Sequence, residues 1–143
     1  FQPDLLISIA GNQIFKRDLI SLAPQGCLNL HSSLLPLYRG LMPSFWVLRN
    51  EETRSGVSVF SVDEGIDSGP IIVQKEFDIL GLSQQQLIEK SKRIGMAAIV
   101  EAVEAIRDST VEILENDAKN MTYFGFPTRD DVKHFRKVGA RFF

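Results

Sequence analysis

Residues 27–50 read CLNLHSSLLPLYRGLMPSFWVLRN, and the order of residue types in this stretch decides the fold. Cys27–His31 has the pattern of a short β-strand. Side chains alternate along a strand, so Leu28 and Leu30 share one face while Asn29 and His31 share the other. Pro36, Gly40 and Pro43 punctuate the next stretch, and Ser32–Pro43 reads as a loop. Pro43 suits the start of a helix, which is expected over Ser44–Asn50. A strand carrying polar groups at its carboxyl end, then a loop and a helix, is a building unit of an α/β sheet. Ligands of such sheets bind beyond the carboxyl ends of the strands.

Upstream, Leu5–Ala10 (LLISIA) lies between Pro3-Asp4 and Gly11-Asn12 and predicts a fully buried strand of the parallel-sheet kind. A short helix is expected over Lys16–Leu22, ended by Ala23, Pro24 and Gly26. Downstream, Gly56–Val62 and Ile71–Phe77 read as strands joined by a Gly- and Asp-rich return that suits a hairpin. Ser83 predicts the N-cap of a long helix, with Gln86 completing a capping box and Leu82 and Leu87 forming a hydrophobic staple. Leu87, Ser91, Ile94, Ala98, Ala102 and Ile106 then recur down one face. A strand is expected near Val111–Leu114, and Thr128 with Asp131 predicts the cap of a final helix running to Gly139. The alternation of strands and helices predicts an α/β fold with a mostly parallel, Rossmann-like open sheet covered on both faces.

With 143 residues the chain has one-domain length and can bury a sizeable core. Its net charge of −2 announces no large basic patch for nucleic acid. Cys27 is the sole cysteine, which rules out an internal disulfide and fits a reducing, cytoplasmic location. No apolar run approaches the ~20 residues that cross a bilayer, no signal peptide is visible, and no membrane partner is expected. The sequence opens on Phe1 directly before an apolar stretch, and is read as a piece whose N-terminal part is missing.

Two polar constellations could carry chemistry. On a strand, Asn29 and His31 stand side by side, roughly 6–7 Å apart at Cα. The amide can donate to an oxyanion and the imidazole can relay a proton near neutral pH. An isolated Asn-x-His is nonetheless more often structural, an amide satisfying loop backbone and an imidazole closing a strand. The second constellation is Asp63-Glu64-Gly65-Ile66-Asp67-Ser68-Gly69-Pro70. By itself it reads as a solvated turn. It becomes functional if one carboxylate faces the imidazole and fixes its orientation. One histidine with a loop of acids lacks zinc-ligand spacing, and no metal is expected. Serine catalysis is disfavoured because no Gly-x-Ser-x-Gly elbow is present. Arg39 could hold an anion or simply be solvated, and His134 on the polar final helix reads as surface.

Taken together, CLNLHSSLLPLYRGLMPSFW and ETRSGVSVFSVDEGIDSGPII resemble the folate-dependent formyltransferase family, whose members act in one-carbon metabolism. The resemblance runs from about Pro3 through the long helix. It implies the formyltransferase fold, incomplete at the N-terminus, with residues 1–126 the C-terminal portion of a catalytic domain and 127–143 a helical tail. It implies Asn29, His31 and Asp67 as catalytic residues and 10-formyltetrahydrofolate as the donor. Asn12, Gln13, Ile14 and Phe15, with Asp63, Glu64, Gly65 and Ile66, would then contact the folate. Ser33, Arg39 and Gly40 would belong to a mobile loop near an amine acceptor. Candidate acceptors are a nucleotide-linked amino sugar, glycinamide ribonucleotide or methionyl-tRNA, although nothing in these residues points to tRNA. Hydrolysis of the same donor to formate is an alternative, and a folate- or RNA-binding module without catalysis is another. Strand edges left bare by the missing part would invite pairing with another chain.

Overall fold

The computed structural model describes residues 2–11 and 15–143. In chain order its elements are β1 (Leu6–Ile9), α1 (Arg17–Ile20), β2 (Cys27–His31), β3 (Arg39–Gly40), α2 (Pro43–Arg49), β4 (Arg54–Ser61), β5 (Ile71–Asp78), α3 (Gln84–Arg107), β6 (Tyr123–Phe124) and α4 (Arg129–Lys137). Four strands form the main sheet in the order β1-β2-β4-β5, and β3 pairs with β6 in a second, two-stranded sheet.

The α/β open sheet is present, with mixed rather than mostly parallel pairing among the described residues. Within the four-stranded sheet β1 and β2 run parallel, whereas β2 with β4 and β4 with β5 are antiparallel. The hairpin between β4 and β5 imposes this, since a return of nine residues is too short for the crossover that parallel strands need. Because β1 and β2 are parallel, their carboxyl ends share one edge of the sheet.

Burial differs from expectation at β1, where exposure alternates: Ile7 and Ile9 are 45% and 48% exposed. The expected strand near Val111–Leu114 reduces to one bridge, in which Leu114 and Ile71 exchange backbone hydrogen bonds of 2.8 and 3.1 Å. Residues 112–115 are all exposed, so this segment has no buried face to extend the pairing.

One face of the sheet packs on α3. Leu28, Val57 and Val59 are fully buried in a cluster with Leu87, Ala98 and Ala102. Leu30 lies so close to Gly95 that a Cβ there would collide with its side chain. The capping box at Ser83 and Gln86 starts α3 as expected, satisfying two backbone N–H groups reciprocally. The opposite face is covered in part by the 32–43 loop. Buried Ser58 donates to the Ser33 carbonyl at 2.7 Å and accepts from Leu35 N–H at 3.1 Å and from Gln74 Nε2 at 2.9 Å.

The C-terminal residues join this core. A ladder of rings runs from the loop to the chain end: Tyr38 on Phe124 (5.3 Å between centroids), Phe124 on Trp46 (4.7 Å), Trp46 edge-on to Phe45 (5.1 Å), Phe45 on Phe135 (4.7 Å) and Phe135 on Phe142 (4.6 Å). The first two free N–H groups of α3, on Gln84 and Gln85, donate to the carbonyls of Arg141 and Phe142. The boundary expected at 126/127 therefore divides segments that share one aromatic stack. Among the described residues, no helix is long and apolar enough to cross a membrane.

Candidate active site

A cleft of about 480 Å³ opens at the carboxyl ends of β1 and β2, within the size range of small-molecule sites. Strand alternation aims Asn29 and His31 away from α3 and into it, as their pattern predicted. The 62–70 connection brings Asp67 to the same wall, 36 residues further along the chain. Asp67 holds a left-handed backbone, φ 47°, which aspartate tolerates better than most residues. Gly69 lets the turn close, since a Cβ there would sit on the Ser61 carbonyl.

His31 is 7% exposed and gripped from two sides. Its Nε2 lies 2.7 Å from the Tyr38 carbonyl oxygen. A carbonyl can only accept, so Nε2 carries a hydrogen and donates it, and this partner assigns the tautomer. Nδ1 is thereby left as the proton-exchanging atom, 3.5 Å from Asp67 Oδ2. That separation is too long for a good hydrogen bond, and the two groups carry opposite charges once the ring takes up a proton. The hydrogen bond to Oδ2 comes instead from Gly40 N–H at 2.8 Å. The carboxylate is thus held by backbone while it faces the ring. Asn29 Oδ1 is buried and, among the described residues, has no hydrogen-bond partner.

The remaining expected residues divide. Phe15, Asp63, Gly65 and Ile66 line the cleft, whereas Glu64 does not and pairs with Arg17 at 2.9 Å on the surface. Asn12, Gln13 and Ile14 lie outside the described residues. Of the loop residues, Gly40 lines the cleft. Ser33 is fully buried and donates to the Leu37 carbonyl at 2.7 Å. Arg39 is 5% exposed and its guanidinium donates to Asn116 Oδ1 at 2.7 Å. Neither reaches the cleft lining. The Ser58 hub and the Tyr38 N–H bond to Thr122 Oγ1 (2.7 Å) tie down the segment expected to be mobile.

Several site-forming groups escape sequence reading. Tyr38 contributes through its carbonyl, and Tyr123 reaches the cleft because β3 pairs with β6 across 84 residues. This approach depends on Gly40 at φ 93°, where a Cβ would meet the Phe124 carbonyl and the Tyr123 ring. The β-forming run Thr122-Tyr123-Phe124 is the sole trace of it in the sequence. Around Tyr38, burial first and then the Glu52 carboxylate push the phenol up to about 12, with its hydroxyl donating to Glu52 Oε1 at 2.6 Å.

A partly buried amide, an imidazole with one assigned free nitrogen and a carboxylate facing that nitrogen are the parts needed to stabilise an oxyanion and move a proton. Residues 1–103 match the model of the formyl transferase family. The chain belongs to the formyl transferase family. The methionyl-tRNA formyltransferase of Kosmotoga olearia is 33% identical over 132 residues, 92% of this chain and 42% of that protein. The chain therefore spans well under half the length of that relative. Among solved structures, the N-formyltransferase from Helicobacter canadensis, in complex with folinic acid and dTDP-3-aminofucose, is 28% identical with a TM-score of 0.75, over 87% of this chain and 45% of that one. The formyltransferase PseJ from Anoxybacillus kamchatkensis, whose crystals hold tetrahydrofolate, is 25% identical with a TM-score of 0.78, over 93% and 69%. Within the formyl transferase match lie β2, the Asp67 loop and most of α3; Asn116, Tyr123 and α4 lie beyond it.

Proposed function

We propose that the protein containing this chain transfers a formyl group from 10-formyltetrahydrofolate to a primary amine. The observation that carries this reading is His31 held between the Tyr38 carbonyl and the Asp67 carboxylate, beside Asn29, in one cleft. The acceptor amine attacks the formyl carbon, forming the new C–N bond and sending the carbonyl electron pair onto oxygen. The Asn29 amide N–H stabilises that oxyanion. His31 Nδ1 takes the proton released by the attacking nitrogen, and Asp67 stabilises the resulting imidazolium. Collapse of the tetrahedral adduct breaks the bond to folate N10, and the imidazolium returns its proton to the leaving nitrogen. Nε2 stays committed to the Tyr38 carbonyl throughout, so the ring need not rotate between the two transfers. Phe15, Gly65 and Ile66 on the cleft wall would meet the folate. A cytoplasmic setting accords with the lone buried thiol of Cys27.

The test is His31→Ala in the full-length protein, with 10-formyltetrahydrofolate and a panel of amines: a nucleotide-linked amino sugar, glycinamide ribonucleotide and methionyl-tRNA. Folate binding is expected to survive while turnover falls about 10²–10⁴-fold, the contribution of a positioned acid–base group. Formate release that ignores every amine would assign a hydrolase instead. Unchanged turnover in the variant would remove His31 from the chemistry.

A further inference from the structure

We propose that Asn116 is a positioning residue: together with Arg39 it clamps the Asp67 turn and so holds the Asp67 carboxylate opposite His31. The inference rests on the proposed catalytic role of Asp67 and concerns a residue outside the 1–103 family match. Asn116 uses both hydrogens of its amide, donating from Nδ2 to the Asp67 carbonyl at 2.9 Å and to the Gly69 carbonyl at 2.8 Å. Its Oδ1 accepts from the Arg39 guanidinium at 2.7 Å, and its own carbonyl accepts from the same nitrogen at 3.1 Å. The amide cannot be reversed, because Oδ1 would then face two carbonyls and Nδ2 a guanidinium.

Arg39 is the unexpected member. It is buried, meets no carboxylate within 4 Å among the described residues, and leaves its Nε without a partner. Burying a cation is costly unless hydrogen bonds compensate it, and for Arg39 the two bonds to Asn116 do so. Here the charge polarises the Asn116 amide, which strengthens the two N–H donors on the far side. Asp67 needs such support. Its left-handed backbone persists only where the surroundings over-determine it. The neighbouring Gly40 N–H holds the carboxylate itself at 2.8 Å. Arg39, Asn116, Asp67 and Gly40 therefore close a ring in which adjacent residues of β3 grip the Asp67 backbone through Asn116 and its side chain directly. Asn116 is set in place by the Leu114–Ile71 bridge two residues earlier.

The test uses Asn116→Asp in the full-length protein. This change keeps the shape and the acceptor for Arg39 but turns the donor end into an oxygen facing two carbonyls. A fall in kcat of about tenfold or more is expected, in line with the cost of sub-ångström displacement of a catalytic group, while KM for the folate donor stays within about threefold. In an Asp67→Asn background the same change should cost less than about threefold, because the group it positions is already disabled. An equal loss in both backgrounds would overturn the proposal. Amide hydrogen exchange gives a readout independent of turnover. Gly40 N–H should exchange faster in Asn116→Asp, while Ile79 N–H, which bonds the distant Thr53 carbonyl at 2.9 Å, keeps its rate. An unchanged Gly40 rate would refute the clamp even in an active enzyme, and faster exchange with full turnover would refute the role of the clamp in positioning Asp67 for turnover. Should the wild-type protein transfer no formyl group at all, the activity reading fails while Gly40 exchange still judges the clamp.

Discussion

Replacing Phe135 with alanine tests whether the C-terminal helix is a structural part of the site-bearing domain. Phe135 is fully buried between Phe45 and Phe142, at 4.7 and 4.6 Å between ring centroids. Truncation returns about 120 Å² of apolar surface to a void or to water, worth about 3 kcal/mol at about 25 cal/mol per Å². Two lost ring contacts add about 0.5 kcal/mol each at the low end. The expected destabilisation is about 4 kcal/mol, within the range of about 3–5 kcal/mol for buried Phe→Ala changes. Urea unfolding of the full-length protein, followed by circular dichroism, should show a midpoint lower by about 2 M for a slope of about 2 kcal/mol/M. Phe135→Leu, which refills most of the volume, should lose less than about 1.5 kcal/mol. A loss below about 1 kcal/mol for Phe135→Ala would refute the reasoning, since residues 127–143 would then be an appendage lying on a core complete without them.

Ser58→Ala removes a buried hydroxyl that serves the Ser33 carbonyl, Leu35 N–H and Gln74 at once. Stability should fall by about 1–3 kcal/mol per group left unpaired, read as a lower thermal midpoint, and loop protection in hydrogen exchange should fall with it. Tyr38 makes stability sensitive to alkali. Its phenol is raised to about 12 against an ordinary value of 10.0, so the folded state keeps a proton that the unfolded chain releases. That contribution is complete below pH 10 and is lost as pH rises toward 12. Tyr38→Phe should flatten the decline of the denaturation midpoint across that interval, and an unchanged slope would contradict the assignment.

Local sequence was enough for the elements nearest in the chain. The Ser83–Gln86 and Thr128–Asp131 capping boxes form as expected, because a cap is a bond between residues three apart and needs no tertiary partner. Alternation alone placed Asn29 and His31 on one face. Where alternatives depended on neighbours, local reading reached less far. The β1 residues LISI have the composition of a buried strand, yet their exposure is set by what packs on them, which composition does not record. Arg39 looks like an exposed loop arginine in sequence but is buried by β6, a partner more than eighty residues away.

By itself, then, the sequence determined the chemistry available at the cleft: an amide and an imidazole two positions apart on a strand, with an acidic glycine-rich return to face them. Tertiary structure alone decided how that chemistry is held. The tautomer of His31, the bond from Gly40 to the Asp67 carboxylate and the grip of Asn116 on the same turn all join residues distant in the chain. Residue types and short spacings encode periodicity and caps, whereas a hydrogen bond to a backbone carbonyl or N–H leaves no mark on the identity of the residue that supplies it.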